Sequence, residues 1–259
     1  MRPQLLFCQT AFGKNLECIR EYISTHAYDG VEWAWDGWRL MVPRERRRRR
    51  LDDLRQASRV SSAHAPYTDL EIGHRDAERA AAAVRILRDY IDAAGELGAH
   101  HLNIHVGSYG LPLEELSWDG LVRNLGNLLE HAGRRGVCLT VENLTHGLTS
   151  TPDWFARLLK ATGAPVTFDL GHAHGSAWVQ ERHGSVVEFL SSIPTPVLAA
   201  HIYFTERNDT HFFPEKLEDI GPALDGLAAR GCDFWVLELH TRETLERTRK
   251  IVDEYLAIR

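Results

Sequence analysis

The chain has 259 residues, 44% of them hydrophobic, and 30 Lys and Arg against 36 Asp and Glu give a formal net charge of -6. That length suffices for one large core, and the acidic balance offers no general attraction to nucleic acid or anionic membranes. Four scattered cysteines (Cys8, Cys18, Cys138, Cys232) form no CxxC pair, the N-terminal apolar run is too short for a signal peptide, and no stretch approaches the ~18 apolar residues of a membrane span. A soluble, cytoplasmic protein with reduced thiols is expected.

In chain order, Gln4–Cys8 reads as a short buried strand and Lys14–His26 as a helix. The turn signal Asp29-Gly30 leads into a strand at Gly30–Trp35, and Pro43 opens a charged helix, RERRRRRLDDLRQAS. Arginines at helical spacing beside Asp52 and Asp53 are expected to form a solvated face rather than a nucleic-acid patch. A strand at Arg59–His64 is followed by a helix over Asp76–Leu97, with Asp76 as N-cap and Gly98 ending it. The pattern continues with strand His101–His105, helix Leu113–Arg135, strand Val137–Glu142 and helix Thr151–Thr162, which has Pro152 at its first position. Strand Pro165–Asp169, helix Val179–Ser192, strand Pro196–Ile202, helix Pro214–Arg230, strand Asp233–Leu239 and helix Arg242–Ala257 complete it.

Eight alternating strand–helix units with no linker predict a parallel sheet with right-handed crossovers. In this length they point to one α/β domain over residues 1–259, a (β/α)8 TIM barrel. The open, doubly wound alternative has little support, because CQTAFGKN after the first strand is not a glycine-rich phosphate loop.

Fourteen histidines are many for this length, and several end apolar runs. Barrels of this kind build their sites at the C-terminal ends of the strands. His64, His105, Glu142, Asp169, His201 and Glu238 each fall there, so six groups distant in sequence are expected to meet at one mouth. Glu142 and Glu238 could instead form rim salt bridges, Asp169 a turn cap, and the histidines satisfied core positions. Carboxylates ending apolar strands require a cation or hydrogen-bond partner, however, which favours ligation. VTFDLGHAHG adds His172 as a further ligand and His174 as a bystander, and the loop after Ile202 holds an Asp-x-His pair, Asp209 and His211. Asn143 is a candidate hydrogen-bonding group for substrate or ligand shell, and Trp33, Trp35 and Trp38 a candidate apolar wall for a sugar or ring.

Mixed carboxylate and imidazole ligands suit Mn²⁺, Zn²⁺, Mg²⁺, Co²⁺ or Fe²⁺. With one ion polarising a carbonyl or hydroxyl, Glu142 and Glu238 would serve as acid and base on the adjacent carbon, the chemistry of ketose epimerisation or aldose–ketose isomerisation. Two or three ions together would instead suit phosphodiester hydrolysis.

Over its whole length the chain resembles the xylose-isomerase-like TIM-barrel superfamily. The resemblance is carried by GVEW, SSAHAPY, HLNIHVGS, VENL, FDLGHA, HIYF…NDTH and LEL. It implies one ion held by Glu142, Asp169, His201 and Glu238 in the isomerase and epimerase branch, with the two Glu as acid and base. The endonuclease IV branch implies three zinc ions on those residues together with His64, His105, His172, Asp209 and His211, and a tyrosine, here Tyr67, packed at an abasic site. The chain departs from that branch at Thr68-Asp69-Leu70, at Asp169-Leu170-Gly171-His172 and at His201-Ile202-Tyr203-Phe204. GVEW and DLGH lie nearer the isomerase and epimerase branch. A sugar or sugar phosphate substrate is therefore expected ahead of abasic DNA or a non-catalytic metal- or sugar-binding role. Oligomeric state and phosphorylation of the substrate stay open.

Overall fold

The computed structural model describes residues 2–35, 42–107 and 112–258. The barrel strands are β1 (Gln4–Cys8), β2 (Gly30–Ala34), β3 (Val60–His64), β4 (His101–Ile104), β5 (Cys138–Glu142), β6 (Val166–Asp169), β7 (Val197–Ile202) and β10 (Phe234–Leu237). All pair in parallel and close in the order β1-β10-β7-β6-β5-β4-β3-β2. A two-stranded antiparallel hairpin, β8 (Thr205–Arg207) with β9 (Thr210–Phe212), stands after β7. The (β/α)8 barrel expected from the alternating pattern is the observed fold.

The helices covering the barrel are α1 (Leu16–Thr25), α2 (Arg44–Ala57), α3 (Ala77–Leu97), α4 (Trp118–Arg134), α5 (Pro152–Thr162), α6 (Leu170–Gly175), α7 (Ala177–Gln180), α8 (Val186–Ser192), α9 (Gly221–Ala229) and α10 (Arg242–Ala257). Their ends follow local chemistry. Asp76 caps α3 by accepting from the Glu78 and Arg79 amides, and Gly98 ends it in the left-handed conformation. Helix α2 carries the arginine run, with Arg47 paired to Glu96 at 2.7 Å and Arg55 to Asp52.

Three helices differ from expectation. Val179–Ser192 is divided: α7 stops at Gln180, and α8 restarts at Val186 from a capping box in which Ser185 and Glu188 satisfy each other's backbone. Between them the Trp178 ring occupies the space where a side chain at residue 184 would point, which explains the glycine there. Helix α4 begins only at Trp118, where the Ser117 hydroxyl accepts the Gly120 amide, and a short 3-10 turn precedes it at Leu113–Glu115. Pro214–Arg230 likewise resolves into a 3-10 turn (Leu217–Asp219) and α9.

The pleat sorts each strand into two faces. On β2, Val31 and Trp33 are buried in the main apolar cluster under the helices, while Glu32 is equally buried on the barrel side. The same alternation sends Ser62 and His64 of β3, Asn103 of β4, Thr140 and Glu142 of β5, and Thr167 and Asp169 of β6 inward. The barrel lumen is thus unusually polar for a packed core, and its polar residues rise toward one mouth.

Candidate metal centre

Glu142 and Asp169 close β5 and β6, His201 lies near the end of β7, and Glu238 follows β10 directly. The barrel brings them together. His201 Nδ1 lies 3.0 Å from Glu238 Oε2 and 3.3 Å from both Glu142 Oε1 and Asp169 Oδ2. One imidazole nitrogen carries at most one proton, so it can satisfy one of three carboxylates. Buried carboxylates this close repel unless a cation lies among them. The four ligand atoms lie within 4.8 Å of one another, and the three oxygens and one nitrogen suit a divalent ion.

Two further groups border the first. His64 Nε2 and His105 Nε2 face each other at 3.1 Å, and both approach Glu142 Oε2, at 3.3 Å and 3.1 Å. Glu142 therefore belongs to two groups. The third group is His172, Glu206 and His211, with Glu206 Oε2 at 2.6 Å from His172 Nε2 and 3.5 Å from His211 Nε2.

Backbone carbonyls set three of these imidazoles. Nδ1 of His64, His172 and His211 meets the carbonyls of Ala65 (2.8 Å), Asn143 (3.0 Å) and Glu238 (2.7 Å). A neutral ring donating from Nδ1 presents Nε2 as a lone pair, and Nε2 of His64 and His211 turns toward the ligand cluster, whereas His172 Nδ1 also lies 3.1 Å from Glu142 Oε1.

The charges are strongly coupled. Burial would raise the Glu142 and Glu238 carboxyls, but neighbouring imidazoles hold Glu142 well below the usual range and Glu238 down to about 2. Burial would depress His64, yet Glu142 holds it up to about 9; His172 and His201 are likewise raised by the carboxylates around them. Asp169 is raised, chiefly by its burial. Without a metal, protons on imidazoles balance these carboxylates, and a divalent ion would take their place.

A cleft of about 140 Å³ opens above the cluster, lined among others by His64, Tyr67, His105, Glu206, His211 and His240. Tyr67 stacks on His105 with ring centroids 4.7 Å apart, on the cleft wall.

Several expected placements change. Trp33 and Trp35 do not form a substrate wall. Both are fully buried on the helix side, Trp33 donating to Ser61 Oγ and Trp35 stacking on Tyr90 of α3. Trp38 lies outside the described residues. Asn143 is not turned to substrate either: its amide donates to the Asp169 carbonyl (2.8 Å) and accepts from the Asp169 amide (2.9 Å), tying β6 to the end of β5. Asp209 lines the cleft together with His211 from the β8–β9 turn, where it and Asn208 take positive φ. Glu206 also lies beside His211, because it pairs directly across the hairpin and so shares its face. His174 packs on Phe204, away from the three groups.

The sequence reading passed over Glu32, Asn103 and Glu206. Asn103 donates to Glu142 Oε2 from within the barrel. Glu206 carried a usable signal: TER and THF flank Asn208-Asp209, a dipeptide suited to a tight hairpin turn. Glu32 stood among apolar neighbours at an inward register position, a pattern visible only once the strand's faces are assigned.

The pattern of the xylose isomerase-like TIM barrel family matches residues 21–254. The chain belongs to that family. Curated relatives include two uncharacterized proteins of Methanocaldococcus jannaschii. One is 26% identical over 74% of this chain and 79% of its own length, the other 24% identical over 95% and 86%. Among solved structures, a D-tagatose 3-epimerase-like protein superposes with a TM-score of 0.81 at 22% identity, covering 98% of this chain and 97% of that one. The IOLI protein with a binding zinc atom gives 0.75 at 18% identity, covering 98% of each chain. An L-ribulose 3-epimerase gives 0.72 at 16% identity, over 99% of this chain and 95% of that one. At these identities the superpositions establish the xylose isomerase-like fold. Among the described residues no helix is long and apolar enough to cross a membrane, and all four cysteines are free thiols.

Proposed function

We propose that this barrel is a divalent-metal-dependent sugar isomerase or epimerase. The observation that carries the proposal is His201 Nδ1 surrounded by Glu142, Asp169 and Glu238, a cluster whose charges call for a cation at the floor of a small-molecule cleft. The ion would supply Lewis acidity, polarising a substrate carbonyl or hydroxyl and acidifying the adjacent carbon. Glu142, Asp169, His201 and Glu238 would hold it. Glu142 and Glu238, from opposite parts of the strand order, would act on the substrate carbon, one accepting its proton and the other returning one. The proton inventory requires one of the two to be protonated when substrate arrives: it gives its proton to the carbon, and its partner keeps the proton taken from the substrate. Tyr67, stacked on His105 at the cleft wall, offers an aromatic face to a sugar ring. The epimerase names among the structural neighbours agree with this reading.

A second reading rests on a separate observation. The His64–His105–Glu142 and His172–Glu206–His211 groups adjoin the first, and three ions held together would favour phosphodiester cleavage.

One experiment separates them. The protein loaded with Mn²⁺, Zn²⁺, Co²⁺ or Mg²⁺ is incubated in D₂O with a panel of ketoses, aldoses and their phosphates, and carbon-bound deuterium is read by NMR. Metal-dependent incorporation next to a carbonyl, abolished by chelator, is expected. No incorporation across the panel, with cleavage of an abasic-site duplex, would replace this reading with the second.

A further inference from the structure

Below the ligand cluster, Glu32 is completely buried inside the barrel. Its Oε1 lies 3.0 Å from His201 Nε2, and its Oε2 accepts the Ser62 hydroxyl at 3.0 Å and lies 3.6 Å from His101 Nε2. Strand register explains the arrangement, since Glu32 pairs with Ser62 on β3 and both point inward. The strands carrying His101 and His201 supply the other two walls.

His201 is oriented opposite to its neighbours. His64 and His211 each give Nδ1 to a backbone carbonyl and turn Nε2 toward the cluster, while His172 Nδ1 lies 3.0 Å from the Asn143 carbonyl and 3.1 Å from Glu142 Oε1. His201 turns Nδ1 to the cluster, and the Glu32 carboxylate stands 3.0 Å from its far nitrogen, where neither atom makes another hydrogen bond. Ligation through Nδ1 requires the proton to reside on Nε2. A carboxylate there fixes that tautomer and makes the imidazole more electron-rich than a carbonyl would.

We infer that Glu32 is a positioning residue for the metal centre, holding His201 so that its Nδ1 lone pair faces the ion, with Ser62 and His101 holding Glu32 in turn. This rests on the metal-centre reading above. It goes beyond the ligands themselves, because Glu32 neither lines the cleft nor belongs to a ligand group. A neutral replacement separates the two roles by what it changes: loss of a purely structural carboxylate shows in stability, loss of a positioning one in metal affinity and in the His201 tautomer.

The test compares wild type with Glu32→Gln and Ser62→Ala. Zn²⁺ and Co²⁺ dissociation constants are measured by competition with a chromophoric chelator, and histidine protonation by long-range proton–nitrogen NMR. In loaded wild type the His201 signal should show a protonated Nε2 and a metal-bound Nδ1. Glu32→Gln should weaken the tightest site about 10–100-fold and lose that fixed signature. Ser62→Ala should weaken it several-fold and serves as the test if Glu32→Gln does not fold. Wild-type binding with unchanged affinity and His201 signature in the folded variants overturns the positioning role and leaves the metal centre standing. A wild type that binds no divalent ion overturns both.

Discussion

The Tyr203 ring lies flat on His211, with centroids 4.0 Å apart and planes 5° from parallel. That stack is possible because residue 171 has no side chain. A Cβ on Gly171 would fall 1.9 Å from Tyr203 Cε2, inside the ring's own volume. The glycine of FDLGHA thus acts through packing, by letting β7 approach α6 closely enough for Tyr203 to support a residue of the cleft wall.

Gly171→Ala is expected to displace Tyr203 and cost about 1–3 kcal/mol, as overpacked cores do. Thermal denaturation should show a drop of several degrees, and His211 ring resonances should shift with it. An unchanged melting temperature would mean that Tyr203 moves aside freely.

Glu238→Gln removes a carboxylate from the carbon-acid chemistry while keeping its size. Turnover on whichever sugar the wild type accepts should fall by at least about 100-fold, the scale of a lost general acid or base, with the far-ultraviolet circular dichroism unchanged. Full activity in the folded variant would remove Glu238 from the proton-transfer role.

The pH dependence of the metal-free protein follows from the cluster's charges. Glu238, held down to about 2, contributes stability that is complete above its unfolded value of 4.5 and is lost as pH falls through about 2. His64, held up to about 9, contributes stability that is complete below its unfolded value of 6.5 and is lost as pH rises through about 9. Melting temperature without metal should therefore peak between these unfolded values and decline toward pH 9. Metal affinity should rise over that same alkaline interval, because the ion competes with protons for the imidazoles. A flat affinity profile from pH 6.5 to 9 would contradict the coupling.

Glu206→Gln tests the third ligand group. With one catalytic ion on the His201 group, elemental analysis should give one tightly bound divalent ion per chain in wild type and variant alike. Three ions in the wild type falling to two in the variant would put the phosphodiesterase reading first.

The sequence by itself determined the barrel. Strand and helix periods alternate clearly, caps such as Asp76, Gly98 and Pro152 mark boundaries locally, and a parallel barrel then assigns Glu142, Asp169, His201 and Glu238 to one mouth. Tertiary structure decided which way neighbouring side chains face. Trp33 and Glu32 are adjacent on one strand, equally buried, and point to opposite sides of the sheet, so strand-end position alone favoured the tryptophan as a site residue and passed over the glutamate. Glu206 was passed over for a similar reason: separation along the chain pointed to Asp209 as the carboxylate near His211, and pairing across the hairpin adds Glu206. Periodicity is a local property that the chain spells out, whereas the meeting of ring nitrogens with particular oxygens depends on register across strands far apart in sequence.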